Sequence, residues 1–368
     1  MGRNEGILAL FPFLVTGSLP MAVMRELRRR GEDVTVARYL PKATGYTMDT
    51  ADDLASENRL IDMYDHLGSS GVVALENICA DRSVGMVVQV GSPWAYAQLS
   101  HLKERRPDLK LVDMLYNTGP HFHSFGIYGP IFDAVLVESR PMLELLAGGA
   151  HGAAVHQVES GVDLARFAPS GRAAEPPSGD LILGYFGRLS PEKNPLGFIA
   201  LAEDVHRALP WMRFAIYGQG PQEAEVKARL FQSPARDVIH LGGFVDHPTT
   251  AYGQIDILSV PSILDGRPAA VMEASACGVP VIGAPVGGIP ELIEDGRNGH
   301  VVRVQDASRI IELLTNWRSD TSAFAEMRRK AHEVANTRFD RDRMMDRYHT
   351  VLTGILKSTA RPLGVCAA

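Results

Sequence analysis

Cysteine is scarce: 368 residues hold three, Cys79, Cys277 and Cys366. An odd count without metal-ligand spacing argues against a disulfide framework and a thiolate metal site. It fits a reducing compartment, and a cytoplasmic protein is expected. Excess positive charge is also lacking. The formal net charge is -6, a field that does not recommend a nucleic-acid partner. No apolar run is long enough to span a bilayer. The nearest, residues 7–23, is broken by Pro12 and Pro20, and its flank balances Arg3 with Glu5, so it reads as a buried strand and loop rather than a signal core. Metal-binding clusters are lacking too. Asp340-Arg341-Asp342 is literally an Asp-x-Asp, but its charged context before a final helix reads as a solvated cap, and no metal site is expected.

What is present is an ordinary soluble composition, 45% hydrophobic and 22% charged, at a length that suits two α/β domains. Strand-like runs at Ile7–Val15, Asp33–Tyr39, Val84–Val90, Leu109–Leu115 and Ala134–Glu138 alternate with helix-like runs at Met21–Arg30, Pro93–Arg105 and Pro141–Leu146. Pro169–Gly179 has no periodicity and is rich in Pro, Gly and Ser, as in a linker. A second alternating set follows it, and an amphipathic stretch, Arg341–Leu356, closes the chain. The expected organisation is residues 1–168 as one Rossmann-like domain, 169–179 as linker, 180–340 as a second Rossmann-like domain, and 341–358 as a helix crossing back to the first domain. Two such units place a ligand in the crevice between them.

Three stretches carry chemistry. In GYFGRLSPEKN a strand ends at Gly187, followed by Arg188, a turn, and Lys193 near a helix start. Close backbone approach, helix-end N–H groups and two cations together suit a diphosphate, whereas a lone Arg and Lys on a loop would be solvated. In PSILDGRPAAVME, Asp265 lies in a loop and Glu273 eight residues later within a helix. A carboxylate in an apolar stretch needs partners. Two ribose hydroxyls would serve Glu273, and so would a structural salt bridge. In GAPVGGIPE, Gly287 and Gly288 form a turn open to phosphate, or a plain strand-to-helix turn. Gly218-Gln219-Gly220 lacks the third glycine of a dinucleotide fingerprint, which disfavours a nicotinamide dehydrogenase. Arg25, Arg28, Arg29 and Arg30 form a basic cluster that could rest on anionic lipid or stay solvated.

The order GRLSPEKN, IYGQGP, LGGFV and DGRPAAVMEASACGVPVIGAPVGGIPELI resembles glycosyltransferase family 4, retaining enzymes of GT-B fold, over most of residues 155–303. VESGVDLARFAP is similar to that family's turn into its second domain. The resemblance implies an α/β fold of two Rossmann-like domains facing each other across a cleft. It implies Arg188 and Lys193 on the donor diphosphate, Gly187 at the turn beside them, and Glu273 on the ribose. Asp265 stands where the family usually has a glutamate facing the transferred sugar. The backbone of Gly266, Arg267 and Pro268 would reach sugar and phosphate, and Gly243 to Val245 would lie near the base. Gly17, between Thr16 and Ser18, stands where the family often has paired glycines. The family's histidine beside the sugar falls on Tyr116 or Asn117, with His121 and His123 just after, either of which could lie in the cleft or stay an exposed loop histidine. The implied function is transfer of a sugar from a nucleotide-diphosphate-sugar to a glycan, lipid-linked or small-molecule acceptor, without metal or other cofactor. A nucleotide-sugar epimerase and a nucleotide-sugar-binding protein without turnover share the same contacts.

Overall fold

Pro12 ends the first apolar run early, because proline brings no N–H to a strand ladder. In the computed structural model, which describes residues 5–42, 47–91, 93–149, 151–174, 179–245, 247–358 and 365–366, β1 is Gly6–Phe11, with every residue buried. The chain divides into two units, one of Met1–Glu159 with Met344–Ala368, the other of Ser160–Arg343.

In the first unit, β2 (Val34–Arg38), β3 (Leu60–Asp62), β4 (Val84–Val90), β5 (Lys110–Leu115), β6 (Ala134–Val137) and β7 (Ala154–Gln157) join β1 in a parallel sheet ordered β7-β6-β5-β4-β1-β2-β3. Val365–Cys366 pairs outside β7. The connecting helices are α1 (Leu19–Arg29), α2 (Asp52–Ser56), α3 (Gly71–Asp81), α4 (Pro93–Arg105), α5 (Pro120–Tyr128) and α6 (Arg140–Ala147). Burial on both faces gives β1 its unbroken apolar character, and β4 the same but for the buried Gln89.

The second unit repeats the plan. Its strands β8 (Ile182–Phe186), β9 (Arg213–Tyr217), β10 (Ile239–Gly243), β11 (Ile257–Val260), β12 (Val281–Gly283) and β13 (Gly299–Val301) form a parallel sheet ordered β10-β9-β8-β11-β12-β13. Its helices are α7 (Pro195–Ala208), α8 (Glu223–Phe231), α9 (Pro248–Tyr252), α10 (Ala269–Ala276), α11 (Ile289–Leu292), α12 (Ala307–Ser319) and α13 (Thr321–Arg338). The strand order reverses between β8 and β11, the switch point at which loops of such a sheet part and leave room for a ligand. The residues discussed below leave from the ends of those two strands.

The units part at Glu159, ahead of the composition change at Pro169. Val162 and Phe167 are buried in the second core, and Val162 exchanges backbone hydrogen bonds with Phe339 and Arg341, so packing sets the division. The linker is partly structured, with Gly171–Ala174 a single 3-10 turn; 175–178 lie outside the described residues. From that turn Arg172 donates twice to Asp256, at 2.9 and 2.7 Å. Asp256 is fully buried. It also accepts from the Ile182 N–H at 2.8 Å and from Arg328 of α13, so one carboxylate ties the linker, two strands and a helix together.

The last helix, α14 (Arg341–Lys357), starts with its Asp340 side chain accepting from the Asp342 N–H at 2.7 Å, a cap in place of the Asp-x-Asp metal motif. From Met344 onward it belongs to the first unit, burying Met344, Met345, Tyr348, Val351, Leu352 and Ile355 in that core. Asp346 meets Arg30 at 2.7 Å and His349 meets Glu32 at 2.9 Å. The basic cluster of α1 is accordingly neutralised. Arg25 binds Asp49 and Asp53, Arg28 pairs with Glu57, and Arg29 and Arg30 share Glu26. Paired guanidiniums offer little net charge to an anionic lipid surface. Among the described residues, no helix is long and apolar enough to cross a membrane.

Candidate active site

The loop after β8 is held by close backbone packing. Gly187 donates to the Tyr217 carbonyl at 3.1 Å and Leu189 to the Gln219 carbonyl at 2.9 Å. A Cβ at Gly218, whose φ is +141°, would sit 1.9 Å from the Gly187 carbonyl oxygen. The glycines of Gly218-Gln219-Gly220 therefore let one loop lie on another. Arg188 pairs with Glu192, which also accepts from the Ser190 hydroxyl at 2.7 Å. Burial works against the Glu192 carboxylate. The Ser190 hydroxyl, a backbone N–H and the charges of Arg188 and Lys193 outweigh it and hold its pKa below the ordinary value.

Lys193 does not sit at an open helix end. Asn194 follows it in the left-handed conformation, φ 57°, and its side chain accepts from the Gly197 N–H at 3.1 Å, capping α7. The helix start that opens beside these cations is that of α10, where Pro268 supplies no side-chain cap. The expectation that the free N–H groups belong to the helix after Lys193 is corrected by that cap.

Asp265 is almost buried, 8% exposed. Its Oδ2 accepts from Lys193 Nζ at 2.6 Å and from the Ser262 hydroxyl at 2.9 Å, and its Oδ1 accepts from the Gly266 N–H at 3.0 Å. The two motif loops are stitched further by the Glu192 carbonyl, which accepts from the Ile263 N–H at 2.9 Å and the Leu264 N–H at 3.3 Å. Gly287 and Gly288 brace this loop from behind. A Cβ on Gly287 would fall 1.8 Å from the Asp265 carbonyl oxygen, and Gly288 donates to the Gly266 carbonyl at 2.7 Å. That turn serves the Asp265 loop structurally.

These residues enclose a cavity of about 250 Å³ within the second unit. Gly187, Arg188, Lys193, Asp265, Pro268 and Glu273 all line it, with Ala269 and Ala270 from the first turn of α10. Glu273 enters from that helix, and its Oε2 accepts from the Tyr252 hydroxyl at 2.8 Å. Burial raises the Glu273 pKa, while Tyr252 and the charge of Arg166 oppose the rise. Glu273 therefore has a tyrosine partner rather than the alternative salt bridge. The same unit has larger hollows of about 630 and 780 Å³. In the first, His300 already pairs with Asp295 at 2.9 Å, and the second runs along β9 and β10. Neither gathers the motif residues.

Other expected residues lie elsewhere. Gly243, φ 67°, ends β10, and its carbonyl accepts from the Gly218 N–H at 2.7 Å. Val245 packs on the core beneath it. Neither lines the cavity, nor do Gly266 and Arg267. The Arg267 guanidinium is buried against Glu291 at 2.9 Å, which leaves only its backbone for the expected role. In the first unit, Gly17 lies at the exposed turn between β1 and α1, with φ 76°. Tyr116 packs against the core, and burial raises its pKa. Asn117 accepts from the Gly119 N–H at 2.8 Å. His121 and His123 fall on α5, not on a loop. His121 is half-buried, with its pKa lowered by burial, and His123 is exposed.

Comparison with known proteins bears on the second unit first. Residues 171–337 match the family described as Glycosyl transferases group 1. The GDP-mannose-dependent alpha-mannosyltransferase of Corynebacterium glutamicum is 32% identical over 176 residues, 45% of this chain and 40% of the relative. The chain spans about half or less of the curated relatives it matches. Among solved structures, Anabaena HepE in complex with UDP superposes with a TM-score of 0.75 at 17% identity, over 95% of this chain and 100% of that one. Sucrose-phosphate synthase from Thermosynechococcus elongatus gives 0.76 at 16%, over 95% and 99%. The chain thus has the fold of the GT-B glycosyltransferases, two parallel-sheet Rossmann-like units, and its residues 171–337 are similar to glycosyl transferases group 1.

Proposed function

We propose that the chain is a retaining, metal-independent glycosyltransferase. It moves a sugar from a nucleotide-diphosphate-sugar to a glycan, lipid-linked or small-molecule acceptor, in polysaccharide or glycoconjugate biosynthesis. The observation that carries this reading is the single cavity in which two cations, an uncapped helix start and two carboxylates meet. Its volume lies below the range of whole-ligand pockets, ~300–1,000 Å³, and suits the diphosphate and ribose of a donor whose sugar extends outward.

In this reading Arg188 leaves Glu192 and Lys193 shares its charge between Asp265 and the donor. With the N–H groups at the start of α10 they stabilise the leaving diphosphate by fixed electrostatics. The bond from the anomeric carbon to the phosphate oxygen breaks, and the acceptor oxygen bonds to the same face of that carbon. The acceptor's proton passes to the departing phosphate. Asp265, held on three sides, orients the sugar, and Glu273 accepts from the ribose hydroxyls.

Two outcomes test this. Turnover of a nucleotide sugar is expected to persist after complete chelation of divalent metal, since two side-chain cations face the phosphates; activity lost in chelator and restored by magnesium or manganese would overturn that part. Glu273→Gln is expected to weaken free UDP or GDP about tenfold by calorimetry, as a hydrogen bond to a charged group is worth ~1.5–3 kcal/mol. Asp265→Asn is expected to spare the free nucleotide and weaken the sugar-bearing donor. Equal behaviour of the two variants toward free nucleotide would break the division of roles. A product sugar with one inverted stereocentre, formed without an acceptor, would identify an epimerase instead.

A further inference from the structure

Glu273 reaches the cavity from a helix whose neighbouring side chains are mostly small: Ala269, Ala270, Ala274 and Ala276. Small neighbours cannot fix a glutamate, which has three side-chain torsions to lose. The one hydrogen bond that orders it comes from Tyr252, 21 residues earlier at the end of α9, at 2.8 Å to Oε2. The Ala270 carbonyl, the tyrosine's alternative acceptor, stands at 3.5 Å.

Tyr252 is itself immobilised. It is 0% exposed. Its ring stacks on Phe186 with centroids 4.7 Å apart and planes at 22°, and Phe167 meets it edge-on at 6.2 Å. Phe186 also lines the cavity. A rigid aromatic ring thus aims one hydroxyl at one carboxylate oxygen, and among the described residues no donor engages Oε1.

We propose that Tyr252 is a positioning residue of the nucleotide site, whose hydroxyl anchors Oε2 of Glu273 so that Oε1 is presented, ionised, to a ribose hydroxyl of a nucleoside diphosphate. The inference rests on the reading of Glu273 as the ribose-binding carboxylate. A hydrogen bond given to the ionised form favours it, and here it counters burial, which acts the other way. The other charged or titratable groups near Glu273 are Arg166, whose charge acts in the same sense as Tyr252, Cys277 one helical turn on, and Arg188, Lys193 and Asp265 across the cavity.

The test is Tyr252→Phe, which keeps the ring and removes only the hydroxyl. Without that donor the Glu273 pKa rises further, so the neutral acid gains population as pH falls. The affinity of the variant for UDP and GDP, relative to the parent, is therefore expected to drop by severalfold at pH 8 and by a larger factor at pH 6. A Glu273 carboxyl titration in the nucleotide-free chain, followed by 13C NMR, is expected to move to higher pH. A ratio constant across that range, or an unmoved titration in a folded variant, overturns the proposal. Glu273→Gln is the control: if it binds nucleotide like the parent, the ribose reading itself fails. If it is weakened while the Tyr252→Phe ratio stays flat, only the role of Tyr252 fails.

Discussion

Asp256→Ala is expected to destabilise the second unit by about 3–5 kcal/mol, the cost of breaking a buried ion pair by removing one partner. Asp256 is fully buried, and Arg328 beside it is 4% exposed. Burial already lowers the Arg328 pKa, with the charge of Asp256 opposing the change. Without the carboxylate, two guanidiniums would face each other across the site, and the Ile182 N–H at the start of β8 would lose its acceptor. Urea unfolding read by tryptophan fluorescence can follow this, since Trp211 and Trp317 lie in the second unit. Asp256→Asn should lose less, because the amide oxygen can still take one guanidinium. A loss under about 1 kcal/mol for Asp256→Ala would mean that the arginines find other acceptors, and the clasp would be ornament rather than support.

Lys193→Ala carries the largest expected effect on turnover. It removes a cation from the phosphate site and leaves Asp265, nearly buried, with only Ser262 and Gly266 as donors. A charge-assisted bond is worth ~1.5–3 kcal/mol, or roughly ten- to a hundredfold in rate, and the unpaired carboxylate adds to the loss. Arg188→Ala should cost less. Arg188 and Glu192 are each about one-third exposed, so water can replace the missing partner. Steady-state kinetics on a nucleotide sugar, with thermal unfolding alongside, would order the two. Asp265→Asn placed on Lys193→Ala should restore stability without restoring rate. If Lys193→Ala turns over like the parent, the diphosphate assignment is wrong.

The second unit was more legible in the sequence than the first, for physical reasons. The apolar runs Phe214–Tyr217 and Val281–Ile282 fall inside β9 and β12, Gly187 and Asp265 are marked by their loops, and Glu273 by its place in an apolar helix. Glycine patterns proved ambiguous about cause. Gly218 belongs to an incomplete dinucleotide fingerprint and Gly287 to a turn that suits either phosphate or a plain strand-to-helix connection, and both are required because a neighbouring backbone carbonyl lies within 2 Å of where a Cβ would stand. In the first unit α3 opens at Gly71 after Ser70, a residue type that favours a helix start but whose side chain makes no cap hydrogen bond here. Proline at the head of α5 is the local signal for a helix carrying His121 and His123. Asp256 also had a signal, a carboxylate between Ile255 and Ile257 in an apolar run, which demands buried partners. Its partners Arg172 and Arg328 lie 84 and 72 positions away, beyond any local pattern. The same holds for Tyr252 and Glu273.

The position of α14 bears on how the chain can fold as it is made. Residues 160–343 form one uninterrupted stretch, whereas the first unit is completed only by residues after 343. A ribosome delivers the N-terminal part first, yet the strands around β1 must wait for Met344, Tyr348 and Leu352 before their core is sealed. The later-made unit can therefore finish before the earlier one, the reverse of the usual order in which domains fold from the N-terminus during synthesis. Until α14 emerges, the apolar face it covers is open to water.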